Sequence, residues 1–525
     1  MSRHSRDLVT LAIKGSPGGP WMKPFRIKHN ACGGRVLDLL LALNPAETFS
    51  NPMGKVAMFR NHYVLMAVVL VLCGGVTLVG RPSARGIHRC DEYPRYWQYD
   101  GEPVLLFGGS SDDNLFQVPG LKKQLNLLAE VGGNYIRCTM SSRQDRGFEV
   151  RAFKRLPNGK YDLDRWNPEY WKRFERMLRL TEERDIVPQV ELWAQWDLNG
   201  ERWDRSPWNP VNNINYSTSD TTLQKEYGRL IRTNQKQDFF LTVPKLQNDG
   251  RLLDYQQKFA DKILEYSLAH DHVLYCVTNE IFAQYPPEWG YYWARYVRRK
   301  AEERGKEIYS TEVYQEEDIT HKLHRASLDH PEIYDYVDMS QNSTQEDQRH
   351  WDRLMWVWNY LSKRPRPINH VKTYGGEIGW TDGAAHGIER WWRSLIGGAA
   401  SCRFHRPPAG IGLDERARHH VKSMRMLVSR LDIFDCVPDT KSSLLSSRSP
   451  DEAYLTYERG RQYAVYFPDG GAVKLDLSGA KGRFELRWLD IEGSRWEPRR
   501  EVKGGGKVRL DAPGAGNWAA LILKE

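Results

Sequence analysis

Between residues 104 and 431 the chain repeats one unit eight times: a short apolar run, then an amphipathic segment. The apolar runs fall at 104–109, 134–140, 186–193, 273–278, 306–311, 336–341, 368–374 and 400–404. The segments between them have helical spacing. In 168–184, for example, Trp171, Phe174 and Leu178 recur at i, i+3 and i+7. Strands that alternate with helices pair in parallel, and eight such units close into a (β/α)8 barrel. The alternative, a doubly wound open sheet, calls for a glycine-rich phosphate turn after its first strand. Gly108-Gly109-Ser110-Ser111-Asp112-Asp113 is not that turn, and its acids would repel phosphate.

Beyond about residue 440 the period changes. Short alternating runs at 454–457, 463–467, 473–477, 484–488, 508–510 and 519–523 are separated by turns such as Asp469-Gly470-Gly471. This pattern predicts a small antiparallel β-sandwich. The fold class expected is therefore α/β, a (β/α)8 TIM barrel over 91–437 followed by a sandwich over 438–525, with a leader over 1–90.

The leader carries the whole charge excess. Residues 1–90 hold 12 Lys and Arg against 3 Asp and Glu, whereas the remainder balances at 64 of each, so the net charge of +9 is no basic surface and no nucleic-acid partner is expected. An uncharged apolar run at 63–79 follows Lys55 and Arg60. It predicts a signal peptide or a retained membrane anchor, and thus an extracytoplasmic protein. The seven cysteines form no Cys-x-x-Cys pair, and Cys138, Cys276 and Cys402 fall inside predicted strands as small buried hydrophobes.

In such a barrel the active site lies at the carboxyl ends of the strands. The polar residues there are Asp112 and Asp113, then Arg137, then Glu191, Trp193 and Trp196. Asn279 and Glu280 follow the fourth strand, Glu312 the fifth, Gln341 and Asn342 the sixth. Tyr374, Glu377 and Trp380 follow the seventh, and His405 the eighth. Carboxylates, amides and tryptophans on one rim suit glycosidic cleavage. One carboxyl protonates the leaving oxygen and a second attacks the anomeric carbon or activates water, while indole faces stack on sugar rings. Neither a metal cluster nor a Gly-x-Ser-x-Gly elbow is visible on this rim, and no organic cofactor is needed.

The placement of Asn279-Glu280 at the fourth strand and Glu377 at the seventh resembles clan A of the glycoside hydrolases, which includes glycoside hydrolase family 5. The resemblance implies Glu280 as acid/base, its pKa raised by burial and nearby negative charge. It implies Glu377 as nucleophile of a retaining reaction, supported by Arg137. Where family 5 enzymes usually carry a His near the third and sixth strands and a Trp after the eighth, this chain has Glu191-Leu192-Trp193, Gln341-Asn342 and His405. The barrel together with the stretch 463–477 (YAVYFPDGGAVKLDL) looks closer to bacterial proteins with an apiosidase-like barrel and a sandwich labelled collagen-binding. The expectation is a monomeric glycosidase acting on a carbohydrate through Glu280 and Glu377, with Asn279, Arg137, Trp193, Trp196, Gln341, Asn342, Tyr374, Trp380, His405 and Asp112 contacting substrate. Two further readings remain: a barrel that binds carbohydrate without cleaving it, and a polysaccharide lyase using Tyr374 or His405 as base.

Overall fold

The computed structural model describes residues 85–525 apart from 142, 144, 145, 229, 231–234 and 380. The apolar run 63–79 and Trp380 lie outside the described residues, and among those described no helix is long and apolar enough to cross a membrane.

Eight parallel strands form the barrel: β1 Leu106–Gly109, β2 Tyr135–Thr139, β3 Val187–Ala194, β4 Leu274–Asn279, β5 Ser310–Thr311, β6 Val337–Asp338, β7 Ile368–Thr373 and β8 Ser401–Phe404. They pair as two four-stranded ladders, β2-β3-β4-β5 and β6-β7-β8-β1. Two seams join the ladders. Asn134 N donates to the Phe107 carbonyl at 2.9 Å, and Asp335 N donates to the Ser310 carbonyl at 2.9 Å. Glycine at 108 follows from the first seam, because a Cβ there would stand 2.3 Å from the Tyr135 carbonyl oxygen. The barrel is a packed core. Tyr135 and Tyr336 both donate their hydroxyls to Gln189 Oε1, at 2.7 and 3.1 Å.

The helices are α1 Leu121–Glu130, α2 Pro168–Glu182, α3 Gly250–Ser267, α4 Glu288–Glu302, α5 Arg325–Leu328, α6 Asp347–Tyr360, α7 Ala384–Ile396 and α8 Glu415–Val428. Their starts are coded locally. Asn167 caps α2, its side chain accepting from Glu169 N, with Pro168 as first helical residue; Asp249 caps α3 by accepting from Leu252 N. The barrel's amino-terminal end is covered by three short antiparallel strands, Ile87–Arg89, Trp97–Tyr99 and Glu102–Val104. Trp97 is fully buried there and donates its indole N–H to Asn369 at 3.0 Å.

The carboxyl-terminal strands are β9 Val437–Pro438, β10 Leu445–Ser446, β11 Tyr454–Glu458, β12 Gln462–Phe467, β13 Ala472–Asp476, β14 Arg483–Asp490, β15 Arg495–Trp496, β16 Arg500–Lys503, β17 Lys507–Asp511 and β18 Trp518–Lys524. Seven form one antiparallel sheet in the order β9-β11-β12-β18-β14-β15, with β16 also on β14; β10-β13-β17 form the second. The large sheet is apolar on both faces. Val465, Phe467, Trp488 and Ile522 meet the small sheet's Val473, Leu475 and Leu510, while Tyr454, Tyr466, Leu489 and Leu521 join the barrel's core. Trp392 of α7 stacks on Tyr466 at 5.4 Å, and Ser423 of α8 donates to the Ile491 carbonyl at 2.6 Å. The five described cysteines are all buried and unbridged.

Candidate active site

Strands β4, β6 and β7 deliver the centre of the site. Glu280 is the residue after β4, 7% exposed, and its backbone is left-handed with φ of +59°. That conformation costs a non-glycine residue roughly 1–2 kcal/mol. Three donors converge on one of its oxygens, Oε1: Gln341 Nε2 at 2.9 Å, the Tyr374 hydroxyl at 2.8 Å, and the ammonium group of Lys372. Hydrogen bonds to a charged group contribute about 1.5–3 kcal/mol each, enough to outweigh the strain. Asn279 Oδ1 accepts from the same ammonium at 3.0 Å.

The electrostatics correct one expectation. Burial pushes the Glu280 carboxyl up, but Lys372 beside it, with Arg137 and Tyr374, holds it below the usual carboxylate value. Glu280 therefore rests as a carboxylate. The group that burial drives well above its ordinary range is Glu312, whose contacts are uncharged: the Tyr334 hydroxyl lies 3.5 Å away. Glu312 sits against α4, where a Cβ on Gly290 would touch its carboxylate.

A second cluster adjoins the first. Asp113, buried in the β1 loop, takes Arg137 at 2.8 Å, Arg143 at 2.8 Å and Arg406 at 2.7 Å, with His405 at 3.8 Å. Burial opposes its charge, but these partners win and hold Asp113 well below the usual value. Arg137 also donates to Glu191 at 2.7 Å, and Arg143 is paired with Asp197. Burial, with the arginines around it, drives His405 far below its ordinary value, so the ring is neutral. The two clusters meet at Tyr374, whose ring lies edge-on to His405 at 4.9 Å. Arg137 Nη2, Glu191 Oε1 and Asp197 Oδ2 are buried without a hydrogen-bond partner, which leaves polar atoms for a ligand to address.

Other expected residues go elsewhere. Glu377 is exposed, and among the described residues no hydrogen bond or ion pair reaches its carboxylate; only its backbone N–H is tied, to the Pro408 carbonyl at 2.9 Å. Trp193 is a core residue and not a rim platform. It packs among Trp208, Phe239, Phe259, Trp289 and Trp293, with ring centroids 5.1 to 6.2 Å away. Asn342 is likewise structural, its Nδ2 donating to the His350 carbonyl of α6 at 2.9 Å. Asp112 braces its own turn, accepting from Asn114 N at 3.0 Å and Arg146 at 2.7 Å. Trp196 is half-buried and edge-on to Phe282 at 5.5 Å, two residues beyond Glu280.

The described residues between β3 and α3 pack against one another and against the barrel. Asn209 and Asn213 are buried and donate to backbone carbonyls of 203–209 and 225, while Trp208, Phe239 and Phe240 fill the space over β3 and α4. Sequence reasoning missed Lys372, left Arg143 and Asp197 without a role although they follow the second and third strands, and underrated Asp113. The signal for Lys372 was present: a lysine inside the strand Ile368–Thr373 must be buried, and a buried ammonium needs a partner. A cavity of about 710 Å³ lies elsewhere, outside the barrel along α4 between Tyr291, Tyr296, Arg295 and Lys245.

No family model matches the chain, and no curated protein matches it in sequence. Solved structures match in fold. One described as a glycoside hydrolase has a TM-score of 0.59 at 12% identity, covering 85% of this chain and 98% of its own. A glycoside hydrolase family 5 protein from Bacteroides vulgatus gives 0.57 at 13%, with 84% and 93% covered. An α-amylase from H. orenii gives 0.50 at 12%, with 80% and 99% covered. At such identities the likeness is one of fold, that of a TIM barrel.

Proposed function

We propose that this chain is a glycoside hydrolase that cleaves O-glycosidic bonds of a poly- or oligosaccharide at the mouth of its barrel. The observation that carries the reading is the buried Glu280 carboxylate at the end of β4, with Gln341, Tyr374 and Lys372 gathered on it and Asn279 bonded to the same Lys372 ammonium. Asn279 and Gln341 supply amides that read sugar hydroxyls, and half-buried Trp196 supplies a ring for stacking. In the retaining scheme Glu377, on the loop after β7, attacks the anomeric carbon, and Glu280 protonates the leaving oxygen. Glu280 rests ionised, so its acid form takes up a proton from water at the barrel mouth. After the glycosyl-enzyme forms, the ionised state suits Glu280 to activate water. Export through the apolar run 63–79 would bring the enzyme to such substrates.

A second reading has its own support: Lys372 neutralises Glu280, which favours a barrel that binds glycans without cleaving them. Product release from a panel of plant, algal and bacterial polysaccharides separates the two. The hydrolase reading expects release by the wild type, reduced by orders of magnitude in Glu280→Gln and in Glu377→Gln. Release unchanged in Glu377→Gln would remove that residue from the mechanism. Glycan binding without release, equal in all three proteins, would leave the binding barrel.

A further inference from the structure

At the amino-terminal end of the barrel, opposite Glu280, the loop entering β4 reads His270-Asp271-His272. His272 is 1% exposed, and its Nε2 lies 2.8 Å from the Thr181 hydroxyl. That hydroxyl donates its one proton back along α2, to the Leu178 carbonyl at 2.8 Å or the Met177 carbonyl at 2.9 Å. It therefore accepts from the ring, and Nε2 carries the imidazole hydrogen. This tautomer leaves Nδ1 as a bare lone pair, and Nδ1 is buried with no hydrogen-bond partner. An unmet buried acceptor costs about 1–3 kcal/mol.

Two more donor groups stand beside the His272 ring. His270 Nδ1 is 2.9 Å from Oε2 of Glu182, the last residue of α2, and the His270 and His272 rings meet at 80° with centroids 5.5 Å apart. Ligand atoms of Glu182, His270 and His272 all lie within 4.8 Å of one another. The intervening Asp271 is taken by Lys306 at 2.6 Å, and the other Glu182 oxygen has Arg85 at 3.7 Å.

We propose that Glu182, His270 and His272 form a divalent metal site of the zinc type. Two imidazoles and a carboxylate are a donor set that Zn²⁺ takes in tetrahedral geometry, with water at the fourth position. Ligand atoms around zinc sit roughly 3.3 Å apart. The partly exposed Glu182 and His270 side chains make the small closing movement, while buried His272 stays fixed. Thr181 is the outer partner that sets the His272 tautomer, as carboxylates and carbonyls do around other metal-bound histidines. The site ties the end of α2 to the entry of β4 on the barrel face associated with stability. It is independent of the glycosidase reading.

The test uses the full chain, stripped with chelator and titrated with zinc chloride by calorimetry while the thermal midpoint is followed. One zinc per chain should bind at micromolar concentration and raise the midpoint. Glu182→Gln, a change at a partly exposed position, should weaken binding at least tenfold, and His272→Gln should abolish it. Thr181→Val should weaken it about 10–100-fold without removing a ligand. The proposal is overturned if the wild type binds no zinc, or if Glu182→Gln binds it with the same stoichiometry and affinity, which would assign the metal to other residues.

Discussion

The Lys372 ammonium is hydrogen-bonded to the same Glu280 oxygen that Tyr374 and Gln341 address, joining residues 92 apart in the chain. Both side chains are buried. Removing one member of a buried pair strands the other charge, at a cost of about 3–5 kcal/mol. Lys372→Met should therefore lower unfolding free energy by that amount in denaturant titrations. Adding Glu280→Gln to Lys372→Met should restore much of it. Additive losses in the double variant would mean that the pair is not coupled.

Acid should act through Asp113. Its folded pKa is depressed, so its stabilisation is present above the unfolded carboxylate value, about 3.9, and is lost as pH falls through the folded value. Wild-type stability should decline below about pH 4, and Asp113→Asn, less stable at neutral pH, should show a flatter decline. Parallel curves for the two proteins would contradict the assignment.

Asp338 should behave in the opposite sense. Burial raises it to about 6, against opposing bonds from Ser340 and the Lys372 charge. Its contribution is favourable below the unfolded value of about 3.9 and is lost as pH rises to 6, a swing of about 3 kcal/mol at 1.36 kcal/mol per unit. Asp338→Asn keeps an acceptor for Ser340 N. It should match the wild type near pH 4 and exceed it in stability near pH 7, as read from thermal midpoints across that range.

Two tryptophans separate packing from recognition. Trp193→Ala empties a site among five aromatic rings and should cost about 3–5 kcal/mol, with glycan affinity of the folded protein unchanged. Trp196→Ala removes a half-buried ring beside Phe282 and should cost less stability but weaken glycan binding. Isothermal titration beside thermal unfolding reads both quantities.

The barrel was legible because strand and helix periods are written locally. The helical spacing over 168–184 appears as the helix Pro168–Glu182. The weak points were short elements: the expected strand 306–311 is only Ser310–Thr311, and 336–341 is Val337–Asp338 followed by a 3-10 turn at Ser340–Thr344. Side-chain direction was less legible. Trp193 and Asn342 sit at strand ends, as the rim requires, but the aromatic layer over α4 and the His350 carbonyl claim them. Gln341, Lys372 and Tyr374 gather on Glu280 from the ends of β6 and β7, a meeting across strands that no local period encodes.

Strand β18 lies in the middle of the seven-stranded sheet, between β12 and β14, and that sheet also covers the apolar backs of α7 and α8. During synthesis, residues 384–428 leave the ribosome about a hundred positions before 518–524 exist to complete their cover. For that interval the apolar cover of Trp392 and its neighbours is incomplete, a natural station for a chaperone, and a gene trimmed after the barrel would make that exposure permanent.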